Sequence, residues 1–233
     1  MTGRLGVSEA TLRRDLAHLE KQGALHRVYG GAIPPEAPTS ADPFAERMAL
    51  HAAEKERIGR AAAALIRPGD VIILDSGTTI FCAVRQLPPE LLERGPLTII
   101  TSSIHSIQWL SRWRGINVIV LGGLYMPDYD FSVGPQAVET LSGLHADRVF
   151  FACDGLTLSH GATVANLLEA EVDRAMLQAV SEVVLLTDSS KFGVIGLTVI
   201  LRPGEINKLV TDTGAPEETL AAFRARGVEV ILA

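Results

Sequence analysis

The sequence predicts an α/β fold, a mostly parallel sheet covered by helices, with a small separate head at the N-terminus. Three observations predict it. The chain has 233 residues, enough for one large α/β domain plus a small appendage. It is 47% hydrophobic and 21% charged, with a mean hydropathy of +0.24, which supplies a packed core and excludes an intrinsically disordered chain. Short apolar runs rich in β-branched residues alternate with helical segments. Runs this continuously apolar are buried on both faces, as in a parallel sheet.

The elements follow in order. Residues 8–23 predict a helix: Ser8 is placed to cap it, Glu9 suits the positive end of its dipole, and Gly23 stops it. Leu12, Leu16 and Leu19 then form one apolar stripe. Leu25 to Tyr29, followed by Gly30-Gly31-Ala32, predicts a strand entering a tight glycine turn. PPEAPTSADP (34–43) has the composition of a linker. Beyond it, strands are predicted at VIIL (71–74), LTII (97–100), VIVL (118–121), VFFA (149–152), VVLL (183–186), KLVT (208–211) and VEVIL (228–232). Helices are predicted over about 45–66, 80–94, 104–113, 135–143, 166–180 and 216–226. The chain therefore divides into a head (1–33), a linker (34–43) and a body (44–233).

Several classes are excluded. No run approaches the roughly 18 apolar residues of a membrane helix. The start MTGRLGVSEATLRRD is polar and charged, unlike a secretory signal. Cys82 and Cys153 make neither a disulfide framework nor a metal-ligand spacing. The expectation is a cytoplasmic protein with no membrane partner. The net charge of −6 conceals an asymmetry: residues 1–35 carry five basic against three acidic residues, a net of +2, which leaves −8 for the other 198. A basic head on an acidic body suits a binding arm on a globular domain.

The chemistry is written where the strands end. VIILD is followed by Ser76-Gly77-Thr78-Thr79 and then a helix. A strand, a small hydroxyl-bearing turn and a helix N-terminus make an anion site from backbone N–H groups, the helix dipole and side-chain hydroxyls. A hydroxyl-capped βα turn with no ligand is the plainer reading of that one turn. The other ends repeat the theme, with Ser102-Ser103, Gly122-Gly123, Asp154-Gly155 and Ser189-Ser190-Lys191. In an open α/β sheet these ends converge on one crevice. Together they predict a small polar, phosphorylated ligand, with Asp75 and Lys191 among its partners.

No GxSxG, GxxxxGK[ST], HExxH or GxGxxG motif is present, so no catalytic residue, cofactor or metal ligand is assigned. Cys153 reads as a small core residue. Glu169 and Glu171 are candidate acid–base groups but, two apart on a helix, do not form a pair. In the head, Ser8, Thr11, Arg13 and Arg14 lie outside the leucine stripe, placed to reach DNA phosphates or base edges, and Arg27 on the following hairpin is placed as a wing contact. A solvated amphipathic helix with incidental arginines is the competing reading.

VSEATLRRDLAHLEKQGALHRVYGGA resembles the recognition helix and wing of DeoR/GlpR-type bacterial transcription regulators. EKERIGRAAAALIRPGDVIILDSGTT, TIITSS, VIVLGG and DSSKFG resemble their effector domain, which is similar in fold to ribose-5-phosphate isomerases. The resemblance implies a repressor of sugar catabolism that leaves its operator DNA when a phosphorylated sugar effector binds. It places effector contacts on Asp75, Gly77, Thr78 and Thr79, on Ser102 and Ser103, and on Gly122, Gly123, Asp154 and Lys191. Ser102-Ser103 stands where some members have asparagines. A homo-oligomer is expected. Heads of this family carry further helices before this segment, whereas seven residues precede Ser8. The winged helix-turn-helix is thus expected to be partial, with the coding start lying upstream or tight operator binding lost. A sugar-phosphate isomerase, with Asp154 or Glu169 as base, and an effector-binding protein without DNA contacts are the alternatives.

Overall fold

A computed structural model describes residues 9–21, 26–28, 31–33, 43–94 and 96–233. The chain divides into two compact units, Met1–Ala45 and Glu46–Ala233. In the first, helix α1 (Glu9–Lys21) is followed by an antiparallel pair, β1 (His26–Val28) and β2 (Gly31–Ile33). The predicted strand thus forms and pairs with the residues from Gly31 onward. The linker residues 34–42 lie outside the described residues.

The second unit is built on seven strands, and all of the predicted ones form. They are β3 (Val71–Leu74), β4 (Thr98–Thr101), β5 (Asn117–Val120), β8 (Ala146–Phe151), β11 (Val180–Leu186), β13 (Lys208–Thr211) and β14 (Glu229–Leu232). Every pairing is parallel, and the order is β14-β13-β11-β8-β3-β4-β5. Side chains alternate between the faces. Ile72, Leu74, Phe150 and Leu186 pack with Ile58, Ile80 and Val84 on one side. Ile73, Val149, Phe151 and Leu185 pack with Leu141, Met176 and Phe223 on the other.

Two long predicted helices are broken. The segment 45–66 forms α2 (Pro43–Ala49) and α3 (Ala52–Ala63), interrupted where His51 takes a left-handed conformation at φ 52°. The segment 80–94 forms α4 (Thr78–Arg85) and α5 (Pro89–Arg94), divided at Pro88-Pro89, where a proline N-terminus cannot continue the preceding helix. Helices α6 (Ile104–Leu110), α7 (Pro135–Ser142), α8 (Leu167–Gln178) and α9 (Glu217–Arg224) lie within the predicted spans.

Two small sheets were not predicted. One is the hairpin of β6 (Leu124–Met126) and β7 (Phe131–Val133). The other is an antiparallel sheet of β9 (Gly155–Thr157), β10 (Gly161–Val164) and β12 (Thr198–Leu201). Among the described residues no helix is long and apolar enough to cross a membrane.

Candidate ligand site at the switch point

The chain leaves β3 for β4 and β5 on one side, then returns to build β8, β11, β13 and β14 on the other. The reversal between β3 and β8 opens a crevice at their carboxyl ends, the position where open α/β sheets bind ligands. A cavity of about 220 Å³ occupies it. Toward the amino ends of β8, β11 and β13 charge pairs tie the strands instead, Arg148 to Glu182 at 3.3 Å and Lys208 to Glu182 at 3.4 Å.

Asp75 joins the two walls. It follows β3, is buried, and accepts hydrogen bonds from the Ser76 N–H at 2.6 Å and from the Ala152 N–H, beyond β8, at 3.2 Å. Burial pushes its carboxyl up to about 7 against these bonds, and the nearby Asp154 adds to the rise. Gly77 precedes α4 at φ 100°, ψ 163°, a conformation that favours glycine. The first N–H groups of α4 lack partners within the helix and follow Gly77 into the cavity wall, accompanied by the buried Thr78 and Thr79. This end of the cavity presents the donors that an anion would need.

The other polar wall is acidic. Asp154 accepts from the Ala165 N–H at 2.8 Å. Asn166 caps α8, accepting from Leu168 N–H at 2.9 Å and Glu169 N–H at 3.3 Å, and so aims the first turn of that helix at the cavity. Burial pushes the Glu169 carboxyl up to about 9, with Asp75 and Asp154 raising it further. Asp173 lies one turn on, 2% exposed. Burial, then Asp75 and Glu169, hold it well above the carboxylate range, and its Oδ2 has no hydrogen-bond partner among the described residues. Neutral carboxyls both donate and accept, which suits the hydroxyls of a sugar.

Cations come from two further segments. Lys191 closes a short 3₁₀ turn whose Asp188 accepts from Ser190 N–H at 3.0 Å, and Asp188, Ser190 and Lys191 all face the cavity. Lys55 of α3 also lines it. It is 5% exposed and donates from Nζ to the backbone carbonyl of Arg47. Burial lowers its pKa, opposed by the charge of Asp188.

The structure thus brings together Asp75, Ser76, Gly77, Thr78, Thr79, Asp154 and Lys191 on one cavity. The other expected contacts stand outside that lining. Ser102 borders a narrow recess beside Asp75 and Asp173. Ser103 caps α6, accepting from the Ser106 N–H at 3.3 Å. Gly122 precedes the β6–β7 hairpin, where a Cβ on Gly123 would stand 2.2 Å from the Val133 carbonyl oxygen. One on Gly155 would stand 2.3 Å from that of Val194. Gly123 and Gly155 thus permit close backbone packing, whereas a Cβ on Gly122 would meet open space. Cys153 lines the cavity, and burial pushes its thiol up to about 12, which keeps it in the thiol form.

Sequence reasoning missed Arg47, His51, Lys55 and Tyr129 on the lining. A signal existed for one: Lys55, Ile58, Gly59, Ala62 and Ala63 make the buried stripe of α3, and a lysine on an apolar stripe is unusual. In the head, Thr11 and Arg14 are exposed on α1. Ser8 and the side chains of Arg13 and Arg27 lie outside the described residues.

Comparison with known proteins places the chain in a family. The model of the DeoR C terminal sensor domain matches residues 50–213, and that of the DeoR-like helix-turn-helix domain matches residues 1–37. A putative aga operon transcriptional repressor from Escherichia coli O157:H7 is 35% identical over 97% of this chain and 84% of the relative. The HTH-type transcriptional repressor GlcR of Bacillus subtilis is 34% identical over 98% and 86%. The HTH-type transcriptional regulator UlaR of Shigella dysenteriae is 34% identical over 98% and 88%. A probable sor operon regulator from Shigella flexneri, of solved structure, overlays 74% of this chain and 88% of its own at 16% identity and a TM-score of 0.49. Ribose 5-phosphate isomerase A from Neisseria gonorrhoeae overlays 60% and 53% at 15% identity and a TM-score of 0.41. The sequence relatives bear the names of transcriptional regulators and not of enzymes. Matched by both halves of the family's architecture along most of its length, the chain belongs to the DeoR family of DNA-binding transcription regulators.

Proposed function

We propose that the cavity between β3 and β8 takes a phosphorylated sugar, and that its occupancy releases the protein from operator DNA upstream of genes for sugar catabolism. Residues 1–33 serve as the DNA-reading head, 34–43 as the linker and 44–233 as the sensor, in a cytoplasmic homo-oligomer. The observation that carries the reading is the cavity's divided chemistry. The α4 N-terminus with Gly77, Thr78, Thr79, Lys55 and Lys191 suits a phosphate, while Asp75, Asp154 and Glu169 suit hydroxyls. Ser102, Ser103, Gly122, Gly123 and Gly155 then support the walls. On the DNA side, Ser8, Thr11, Arg13, Arg14 and Arg27 are the contacts proposed, so operator binding should weaken steeply with salt.

Calorimetric titration with hexose phosphates, their parent sugars and inorganic phosphate tests the site. A phosphorylated sugar should bind and its parent should not. Thr79→Ala should weaken binding by about 1–2 kcal/mol, the loss of a hydrogen bond to a charged group. Gly77→Val should weaken it more, because φ 100° at the mouth of α4 disfavours a branched side chain. Titrations of both variants that match wild type would place the ligand elsewhere.

A further inference from the structure

We infer that Lys55 is a positioning residue: it couples an occupied cavity to α2, the helix through which the chain passes from the head into the sensor. The inference rests on the sugar-phosphate reading of that cavity.

Helix α2 ends at Ala49, and the chain turns through Leu50 and the left-handed His51 into α3. The last carbonyls of a helix have no partner within it. The carbonyl of Arg47 is one of these, and the Lys55 ammonium satisfies it. A second tether comes from Arg47 itself, whose guanidinium donates to the Asp128 carbonyl at 3.1 Å and stands over the Tyr129 ring at 5.4 Å. Arg47, Lys55 and Tyr129 all line the cavity. The groups that hold the last turn of α2 are therefore groups a ligand would touch.

Lys55 has three donors, and the Arg47 carbonyl takes one of them. The charged groups that bear on it are Asp188, Lys191 and Arg47, with the thiol of Cys82 behind. An anion in the cavity would accept from the ammonium in a charge-assisted bond and strengthen its bond to the carbonyl through polarisation. Leu50, 62% exposed, and His51 also border the cavity, so a bound sugar would cover the turn between the helices. Occupancy thus clamps the end of α2. Because α2 follows the linker in the chain, clamping its last turn fixes the end of the sensor from which the linker departs.

Amide hydrogen exchange over residues 47–52 of the full chain tests this, with glucose 6-phosphate, fructose 1-phosphate and fructose 6-phosphate as probes at saturating concentration. In the wild type, protection of this segment should rise about tenfold with a probe that binds. Lys55→Gln and the more apolar Lys55→Met should bind it more weakly and, once saturated, show no added protection. Lys55→Arg should recover part of the response. Lys191→Gln should lose affinity but keep the full protection at saturation, since the hydrogen bonds of Lys191 run to Asp188 and Val194 and not to α2. Unchanged exchange in a saturated wild type, or full protection in saturated Lys55→Gln and Lys55→Met, would overturn the relay and leave the site reading intact. Failure of every probe to bind the wild type would overturn both.

Discussion

Glu169 and Asp173 stand one turn apart on α8, both bordering the narrow recess beside Asp75, and their combined burial has a consequence for stability. Like Asp75, each is held above the ordinary carboxylate range, first by burial and then by neighbouring carboxylates: Asp154 for Asp75, Asp75 and Asp154 for Glu169, and Asp75 and Glu169 for Asp173. A carboxyl whose folded pKa is raised binds more protons folded than unfolded. Its stabilising effect is full below about pH 4 and is lost as pH rises through about 7 for Asp75 and about 9 for Glu169. Thermal melts of the ligand-free protein should therefore shift downward from about pH 5 to about pH 9. Glu169→Gln should flatten that slope and raise the melting temperature at the alkaline end, while the exposed Glu171→Gln should leave it alone. Equal slopes in all three proteins would mean that Glu169 titrates normally. At this scale the sequence was half legible. Gly77, Thr79 and Asp154 announced themselves because turn chemistry is local. Asp173 and Lys55 occupy positions where helical periodicity places core side chains, so their charge looked incidental until the walls were assembled around them.

At the scale of the element, the five inner strands were legible because a run buried on both faces needs no partner to be recognised, and the edge strands β5 and β14, exposed or half-buried throughout, showed through their β-branched runs. The helix breaks were less so: Pro88-Pro89 was a usable signal, whereas nothing local marks the turn at His51. The β6–β7 hairpin and the β9-β10-β12 sheet were missed because strands of three or four residues are too short to show a period. Gly59 shows what periodicity alone conceals. It sits on the buried stripe of α3, where a Cβ would stand 2.6 Å from the Cys82 carbonyl carbon and 2.7 Å from the Ala83 nitrogen of α4. Two helices meet there backbone to backbone. Gly59→Ala should destabilise the sensor by about 1–3 kcal/mol despite its better helix propensity. Urea unfolding reads this directly as a lower midpoint at unchanged slope; an unaltered midpoint would show that the helices can separate at little cost.

For the whole molecule, strand order is what the sequence withheld, because it depends on pairings between distant segments such as Ile73 with Val149. That order brings Lys55, Asp75, Asp154 and Lys191 to one place, though they come from four separate stretches of chain. A cavity assembled from such distant parts exists only in the finished fold. A bound sugar phosphate should accordingly slow unfolding in denaturant jumps and leave the refolding rate unchanged. Faster refolding with ligand would mean that the cavity forms before the barrier. The same geometry bears on synthesis at the ribosome. β3 pairs with β4 soon after both emerge, but its other edge waits for Ala146–Phe151 to be translated. Until then the nascent chain carries an unpaired apolar strand edge, the kind of surface that chaperones shield. A message cut short before that point therefore yields no sensor, only an aggregation-prone half-sheet.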